Sequence, residues 1–199
     1  MFTALQTMLN SAAVSFDLPI LDWIQETMQC TFLDKTMPIV TLFGDGGVFW
    51  IGIAVLLLFF AKYRKTGFSM GMALVLGLVV CNITLKPLVA RIRPYDFQLQ
   101  EFGREISLLI SAQHDFSFPS GHTIASFEAC TVLLLHDKRM GIPATVLAIL
   151  IAFSRLYLYV HYPTDVLVSL VLGIAFGLLG NFLVNLIYKK WVYNGKYAE

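Results

Sequence analysis

The chain has 199 residues, of which 57% are hydrophobic and 14% charged, and its mean hydropathy is +0.72. Continuous apolar runs produce this value, which excludes an ordinary soluble domain and indicates an integral membrane protein with a single domain over residues 1–199. The formal net charge is only +1, so no global field would attract a nucleic acid and no nucleic-acid partner is expected.

The N-terminal residues 1–31 are only intermittently apolar. Leu21, Ile24, Thr27 and Met28 follow the spacing of one helix face, and polar residues lie between them. This pattern predicts an amphipathic helix that lies on the membrane surface.

Five apolar segments long enough to cross a bilayer follow. They are residues 33–62, 68–90, 120–136, 142–158 and 166–188. The first is interrupted by Gly44-Asp45-Gly46-Gly47, which should break or kink a helix. We interpret it as one interrupted crossing; the alternative is two separate elements, one of them re-entrant, which would make a sixth. The expected fold is all-α, a polytopic transmembrane helical bundle with its core at residues 33–190.

Basic residues mark alternate ends of these segments, and by the positive-inside rule those ends are cytoplasmic. They are Lys62, Arg64 and Lys65 after the first crossing, Lys138 and Arg139 after the third, and Lys189, Lys190 and Lys196 after the last. Because crossings alternate in direction, the remaining polar clusters all gather on the opposite, outer face. Three cations there, Arg91, Arg93 and Arg155, run against the charge trend, which indicates a bound anion.

The first of these clusters contains Lys86 and Arg93. The two cations are seven residues apart, so on a continuous helix they would share a face. Pro94 is expected to stop regular structure immediately afterwards. The pair predicts binding of an anion; the alternative is that both side chains extend to lipid head groups.

The second cluster, Pro119 to His122, has the pattern of a helix start. Ser120 suits the N-cap position, and the free amide groups of the first turn suit a phosphate. Gly121 would let an oxyanion approach the backbone, and His122 could donate a proton to a leaving oxygen. The alternative is an ordinary capped helix with an interfacial histidine. We assign no role to Asp45, although it is predicted near the same face.

The third cluster contains Arg155, His161 and Asp165. The carboxylate of Asp165 can accept a hydrogen bond from one imidazole nitrogen of His161, which leaves the other nitrogen free to attack phosphorus. Lys86, Arg93 and Arg155 could stabilise the resulting pentacoordinate state without a metal. A purely structural His–Asp pair at a helix start is the alternative.

No metal site is predicted, because Cys30, Cys81 and Cys130 lack the paired spacing of metal ligands. All three are interpreted as small buried hydrophobic residues.

The three clusters together resemble the signature of the type 2 phosphatidic acid phosphatase (PAP2) superfamily. They read Lys-x6-Arg-Pro, Pro-Ser-Gly-His and Ser-Arg-x5-His-x3-Asp, in that order. Every defining position is matched between residues 86 and 165, whereas residues 1–46 contribute nothing to the resemblance.

The resemblance implies metal-independent hydrolysis of a phosphoester or diphosphate, without a cofactor. It implies that His161 forms a phosphohistidine, that Asp165 orients this histidine and that His122 protonates the leaving group. It also implies that the phosphoryl oxygens are held by Lys86, Arg93, Ser120, Gly121 and Arg155.

The short connection Tyr95–Phe118 favours the lipid phosphatases of this superfamily over its soluble members, because nothing large is available to cover the site. The expected substrate is a lipid phosphate or diphosphate, first undecaprenyl diphosphate, with phosphatidylglycerophosphate or phosphatidic acid as the alternative. The expected location is a bacterial inner membrane with the site facing outward. A non-catalytic lipid-binding or transport protein is the alternative of another class. No oligomeric state is predicted.

Two groups outside the motifs are interpreted separately. His114 and Asp115 are interpreted first as a solvated loop and second as a head-group contact. Tyr157, Tyr159 and Tyr162 are interpreted as an aromatic belt at the membrane interface, although one of them could line the pocket.

Overall fold

The computed structural model describes residues 2–195, with side-chain surroundings for residues 7–190. Within residues 2–195 the secondary structure is helical and contains no strand, which confirms the all-α prediction, and residues 103–120 form an irregular connection between two helices. Its helices are α1 (Phe2–Ala12), α2 (Leu18–Met28), α3 (Thr31–Leu42), α4 (Val48–Leu58), α5 (Arg64–Gly77), α6 (Lys86–Val89), α7 (Pro94–Phe102), α8 (Gly121–His136), α9 (Lys138–Tyr157) and α10 (Pro163–Gly195). Lys196, which entered the orientation argument, lies outside the described residues.

The predicted interruption of the first crossing is present between α3 and α4. A short 3-10 turn, Asp45–Gly47, joins the two helices. Gly46 and Gly47 have φ values of 56° and 68°, a left-handed conformation that residues with a Cβ rarely adopt. The turn therefore ends α3, restarts the chain as α4 and leaves the Asp45 side chain on the bundle's end.

The path around Lys86 and Arg93 differs from the expected continuous helix. α5 continues through a π-helical segment, Leu78–Leu85, into the single turn α6, and Ala90 then reverses the backbone with a φ of 49°. Pro94 begins α7 instead of ending regular structure, and Arg93 before it is extended. Proline suits a first helical position because the N–H it lacks would have no partner there. The two-turn spacing argument for Lys86 and Arg93 was therefore wrong.

Helix α8 lies at the centre of the bundle and packs against α9, α10 and α5. Two glycines of α10 allow the close approach. A Cβ at Gly173 would lie 2.8 Å from Cβ of Phe127, and one at Gly177 would lie 2.7 Å from Cβ of Thr131. Small residues at such contacts are typical of helices that pack inside a membrane. Cys81 and Cys130 are buried as expected, whereas Cys30 is exposed.

The outer surface of the bundle is apolar. Large side chains such as Val171 and Phe182 are 64% and 56% exposed, which suits contact with lipid. Within residues 2–195, four helical stretches are long and apolar enough to cross a membrane: Thr31–Leu58, Arg64–Phe102, Lys138–Tyr157 and Pro163–Lys190. The protein is an integral membrane protein.

The N-terminal helix, residues 2–28, consists of α1 and α2 joined by the π-helical segment Ala13–Asp17, and it packs on the chain itself. Leu21 and Ile24 are buried in a cluster with the residues that link α9 to α10. Tyr157, Tyr159 and Tyr162 lie in this cluster and are each 1% exposed, so they do not form an interfacial belt. The hydroxyls of Tyr157 and Tyr159 donate to carboxylates of the N-terminal region, at Asp34 and Asp22 respectively.

Candidate active site

A cavity of about 1340 Å³ opens where the three polar clusters meet. The candidate residues on its wall are Lys86, Arg93, Gly121, His122, Arg155 and His161. They come from α6, the start of α7, the start of α8, the end of α9 and the turn before α10. Segments far apart in the sequence thus deliver their polar side chains to one end of the bundle, as the alternation of helix direction predicts.

His161 lies at this end and is only 1% exposed. Its Nε2 atom is 3.4 Å from Nη1 of Arg93. Burial, together with the neighbouring cations Arg93, Arg155 and Lys86, lowers the pKa of His161 well below its ordinary value. The imidazole is therefore neutral near pH 7, which is the form that can act as a nucleophile.

Asp165 lies behind His161, but the predicted hydrogen bond is not formed. Nδ1 of His161 is 3.6 Å from Oδ2 of Asp165, which is longer than a hydrogen bond. The Asp165 carboxylate instead accepts from Nη1 of Arg91 at 2.5 Å and from the amide of Tyr162 at 3.1 Å. The i,i+4 spacing brings the two side chains together, but Arg91 competes for the acceptor.

Arg91 is satisfied by the protein's own carboxylates. Besides Asp165 it donates to Asp17 at 2.7 Å, and its guanidinium lies 3.6 Å from the ring centre of Tyr162. Asp17 also accepts from the amide and the hydroxyl of Thr164. The expectation that an external anion explains Arg91 is therefore wrong, since the N-terminal helix supplies the second counter-ion.

His122 has a hydrogen-bond partner that was not predicted from the sequence. Its Nε2 lies 2.7 Å from Oδ1 of Asp45, the acidic residue in the turn between α3 and α4. Because an ionised carboxylate can only accept, Nε2 is the protonated nitrogen of this pair. Gly44 allows the approach, since a Cβ there would lie 2.6 Å from Cδ2 of His122.

Lys86 and Arg93 converge on Asp115. Nζ of Lys86 is 2.5 Å from Oδ2 of this residue, and Nη2 of Arg93 donates to Oδ1. Burial alone would raise the pKa of the Asp115 carboxyl, but the hydrogen bonds and charges of Lys86 and Arg93 hold it well below its ordinary value. Asp115 is thus more than a solvated loop residue, because it occupies donors that a phosphoryl group would use.

Arg155 is buried beside these residues, at 1% exposure. Its Nη1 donates to Oγ1 of Thr41 at 2.5 Å, whereas its Nε has no hydrogen-bond partner among the described residues. A buried guanidinium N–H without an acceptor is uncommon in a native structure. An anion in the cavity would supply the missing acceptor.

Ser120 and Gly121 differ in their relation to the cavity. Ser120 occupies the N-cap position but makes no side-chain cap, because its Oγ accepts from the Thr123 hydroxyl and its amide donates to Ser169. It is fully buried and is not on the cavity wall. Gly121 is on the wall, and a Cβ there would lie 3.1 Å from Oδ1 of Asn82.

The arrangement combines a neutral buried imidazole, a second imidazole paired with a carboxylate, and three cationic side chains around one space. These are the groups that nucleophilic attack on a phosphoryl group requires. Within residues 7–190, no three His, Cys, Asp or Glu side chains are grouped so that they could hold a metal ion.

Comparison with known proteins gives consistent similarities. The chain is 34% identical over 146 residues to an undecaprenyl-diphosphatase of Sulfolobus acidocaldarius, which covers 73% of this chain and 68% of that protein. The crystal structure of Aquifex aeolicus LpxE matches with a TM-score of 0.71 and 27% identity, over 83% of this chain and 94% of the other. That of a transmembrane PAP2-type phosphatidylglycerolphosphate phosphatase from Bacillus subtilis matches with a TM-score of 0.68 and 28% identity, over 95% and 92%.

A family model described as the PAP2 superfamily matches residues 62–191, which include all three motifs and the helices that carry them. The resemblance inferred from the motifs is thereby confirmed, and the chain belongs to the PAP2 superfamily.

Proposed function

We propose that this protein is a membrane lipid phosphatase that hydrolyses a lipid phosphate or diphosphate through a phosphohistidine, without a metal. The observation that carries the proposal is the meeting of His161, His122 and Arg155 with Lys86 and Arg93 on the wall of one cavity. A protein that only bound or transported lipid phosphates would need the cations, but it would need neither a neutral nucleophile nor a proton donor.

The reaction proceeds in two displacements. Nε2 of His161 attacks phosphorus, the bond from phosphorus to the leaving oxygen breaks, and that oxygen takes a proton from the imidazolium form of His122, which becomes neutral. Water then gives a proton back to His122 and attacks the phosphohistidine, the phosphorus–nitrogen bond breaks, and phosphate leaves. Asp165 lies behind His161 and stabilises the charge that the imidazole gains in the first step.

Cationic side chains stabilise the charge on the phosphoryl oxygens. These side chains are Lys86, Arg93 and Arg155, and the unpartnered Nε of Arg155 donates a hydrogen bond to one phosphoryl oxygen. Gly121 brings the amide end of α8 close to the phosphoryl group, and Ser120 supports this turn from behind. Before the substrate binds, the hydrogen bonds that Lys86 and Arg93 donate to the Asp115 carboxylate must break, so that both side chains can donate to the phosphoryl group.

The whole chain forms one catalytic domain with five crossings. The 16-residue α8 is the third crossing, and it can be short because it is buried at the bundle's centre. The helix over residues 2–28 lies at the outer interface and covers the turn that carries His161. Lys62, Arg64 and Lys65 mark the cytoplasmic end, so the site faces outward from a bacterial inner membrane.

Two substrate classes are supported by relatives. One relative is named an undecaprenyl-diphosphatase, which agrees with the first expectation from the sequence. A solved relative that aligns over 95% of this chain is named a phosphatidylglycerolphosphate phosphatase. The cavity continues from the polar end along the apolar side chains of α4 and α5, which gives room for a lipid chain of either kind.

The test is phosphate release by the purified protein in detergent with EDTA present. A panel should compare long-chain prenyl diphosphates with glycerolipid phosphates. The proposal predicts release from at least one class that persists in EDTA and is blocked by vanadate or tungstate. A requirement for an added divalent metal, or release from neither class by a folded protein, would contradict it.

Replacing Asp45 tests its pairing with His122. We expect Asp45→Asn to lower kcat by about 10-fold to 100-fold with little change in KM, because the carboxylate supports the protonated ring without touching the phosphate. Steady-state kinetics on the substrate found above checks this, with the exposed Glu101→Gln as the matched control. An unchanged kcat in Asp45→Asn would show that the contact plays no part in proton transfer.

Replacing Asp115 tests its competition with the phosphoryl group. We expect Asp115→Asn to strengthen inhibition by vanadate or inorganic phosphate about fivefold, since the donors of Lys86 and Arg93 then lose a competing carboxylate. Inhibition constants measured beside those of the exposed Glu105→Gln variant check this. Weaker inhibition in Asp115→Asn would instead mean that Asp115 holds the two cations in place for the anion.

A further inference from the structure

A third acidic residue lines the cavity away from the phosphoryl-binding end. Glu128 lies in the middle of α8 and is only 1% exposed. Its Oε1 atom has no hydrogen-bond partner among the described residues, and no ion pair is found for it there. The reaction described above does not use this carboxyl, so its place on the cavity wall needs another explanation.

The space around this carboxyl is created by a glycine on the facing helix. A Cβ at Gly77, the last residue of α5, would clash with Oε1 of Glu128 and would lie 2.7 Å from the carboxyl carbon and 2.8 Å from Oε2. Gly77 is also on the cavity wall. The packing of α5 on α8 therefore leaves room for a polar group at this depth, instead of filling the position with a hydrophobic side chain.

The depth of Glu128 can be estimated from the helix. It follows His122 by six residues, which corresponds to about 9 Å along the axis of α8. Helical side chains lean toward the N-terminus, and the N-terminus of α8 is the phosphoryl-binding end. The carboxyl group is therefore about 5–8 Å below the level of His122.

A carboxyl group at this depth needs a polar partner. Leaving a buried polar group unpaired is costly, and such a carboxyl is neutral in apolar surroundings unless it meets a cation. The neutral form carries one O–H donor. A prenyl chain offers no acceptor for this donor, whereas a diacylglycerol phosphate carries ester carbonyls only a few bonds from its phosphorus.

We propose that Glu128, in the space left by Gly77, forms a hydrogen-bonding subsite for an ester carbonyl of a glycerolipid phosphate. This proposal rests on the proposed phosphatase function. It predicts that the enzyme prefers diacyl lipid phosphates over lipid phosphates whose chains carry no carbonyl group. Glu128 is a specificity-determining residue that contacts the substrate's backbone and takes no part in bond breaking.

The experiment compares two substrates that differ only in the carbonyl groups. These are a diacylglycerol phosphate and the dialkyl ether analogue with the same chain length, in detergent with EDTA. We expect wild-type kcat/KM to favour the diacyl lipid about tenfold, because the ether lacks the strong acceptor. In Glu128→Leu the ratio should fall to about one, whereas Glu128→Gln, which keeps a donor, should preserve most of it.

The outcomes separate this subsite from the phosphatase function itself. Equal kcat/KM for the two lipids in the wild type, or an unchanged ratio in Glu128→Leu, would overturn the subsite while leaving the phosphatase intact. If Glu128→Leu does not fold, the kcat/KM ratios of the wild type and of Glu128→Gln still test the subsite, because both should favour the diacyl lipid. No phosphate release from either lipid, in a protein that releases phosphate from prenyl diphosphates, would also overturn it. The exposed Glu105→Leu variant should keep the wild-type ratio.

Discussion

Replacement of His161 by asparagine is expected to abolish turnover, lowering kcat by about four orders of magnitude or more. Asparagine is similar in size and polar, but it cannot form a bond to phosphorus, so the first displacement has no nucleophile. The remaining cations would still bind the phosphoryl group, because Lys86, Arg93 and Arg155 are unchanged. We therefore expect the inhibition constant for vanadate to change far less than kcat. Phosphate release under single-turnover and steady-state conditions checks both statements.

The control for this variant is His136→Asn. His136 ends α8 at the opposite end from the cavity's polar residues, and its Nε2 lies 2.9 Å from Oδ1 of Asn181. Its replacement should leave kcat within about twofold of the wild-type value. Turnover by a folded His161→Asn variant at a tenth of the wild-type rate or more would remove His161 from the mechanism.

Removal of the Asp17 carboxylate is expected to cause the largest loss of stability. Asp17 is fully buried and accepts three hydrogen bonds, from Arg91 at 2.7 Å and from the amide and hydroxyl of Thr164 at 2.9 and 2.8 Å. Breaking a buried ion pair by deleting one partner typically costs about 3–5 kcal/mol. Asp17→Ala should therefore unfold at a clearly lower temperature in detergent and lose activity, because Thr164 and Asp165 position the turn that carries His161.

Glu26→Gln is the matched control, since Glu26 is exposed on the same N-terminal helix. It should unfold at the wild-type temperature. The comparison is informative because Asp17 lies outside residues 62–191, which match the superfamily. An Asp17→Ala protein as stable and active as the control would mean that the N-terminal helix only covers the site.

The site residues that sequence predicted best are those at helix ends. His122, Arg155 and His161 each lie where an apolar segment begins or ends, so the alternation of direction was enough to bring them together. Lys86 and Arg93 also meet, but for another reason than the one predicted. Between them, Ala90 turns the backbone in a left-handed conformation, and the hydrophobic periodicity of the sequence does not predict such a turn.

Long-range pairs between polar residues could not be predicted. Asp45 and Asp115 lie in connections whose path depends on tertiary packing, so their contacts with His122 and Lys86 leave no local pattern. Asp17 pairs with Arg91 across 74 positions of sequence, and neither residue alone indicates its partner. The hydrogen bond expected between His161 and Asp165 failed for the same reason, since spacing gives proximity but does not reveal a competing donor.

Glu128 is different, because the sequence did contain a signal for it. It is the only acidic residue in the predicted crossing 120–136, and an ionisable group at membrane depth marks a functional position by default. What the sequence could not supply was its environment. Only the packing of α5 on α8 reveals that Gly77 leaves the carboxyl room and that both residues lie on the cavity wall.

The most direct test of the mechanism is to trap the covalent intermediate. The purified protein is mixed with a lipid substrate carrying radiolabelled phosphate, in EDTA, and quenched in alkali, which preserves phosphohistidine. The mechanism predicts label on the peptide that contains His161, and no label in His161→Asn. Label on a peptide carrying His122, or label that persists in His161→Asn, would contradict it.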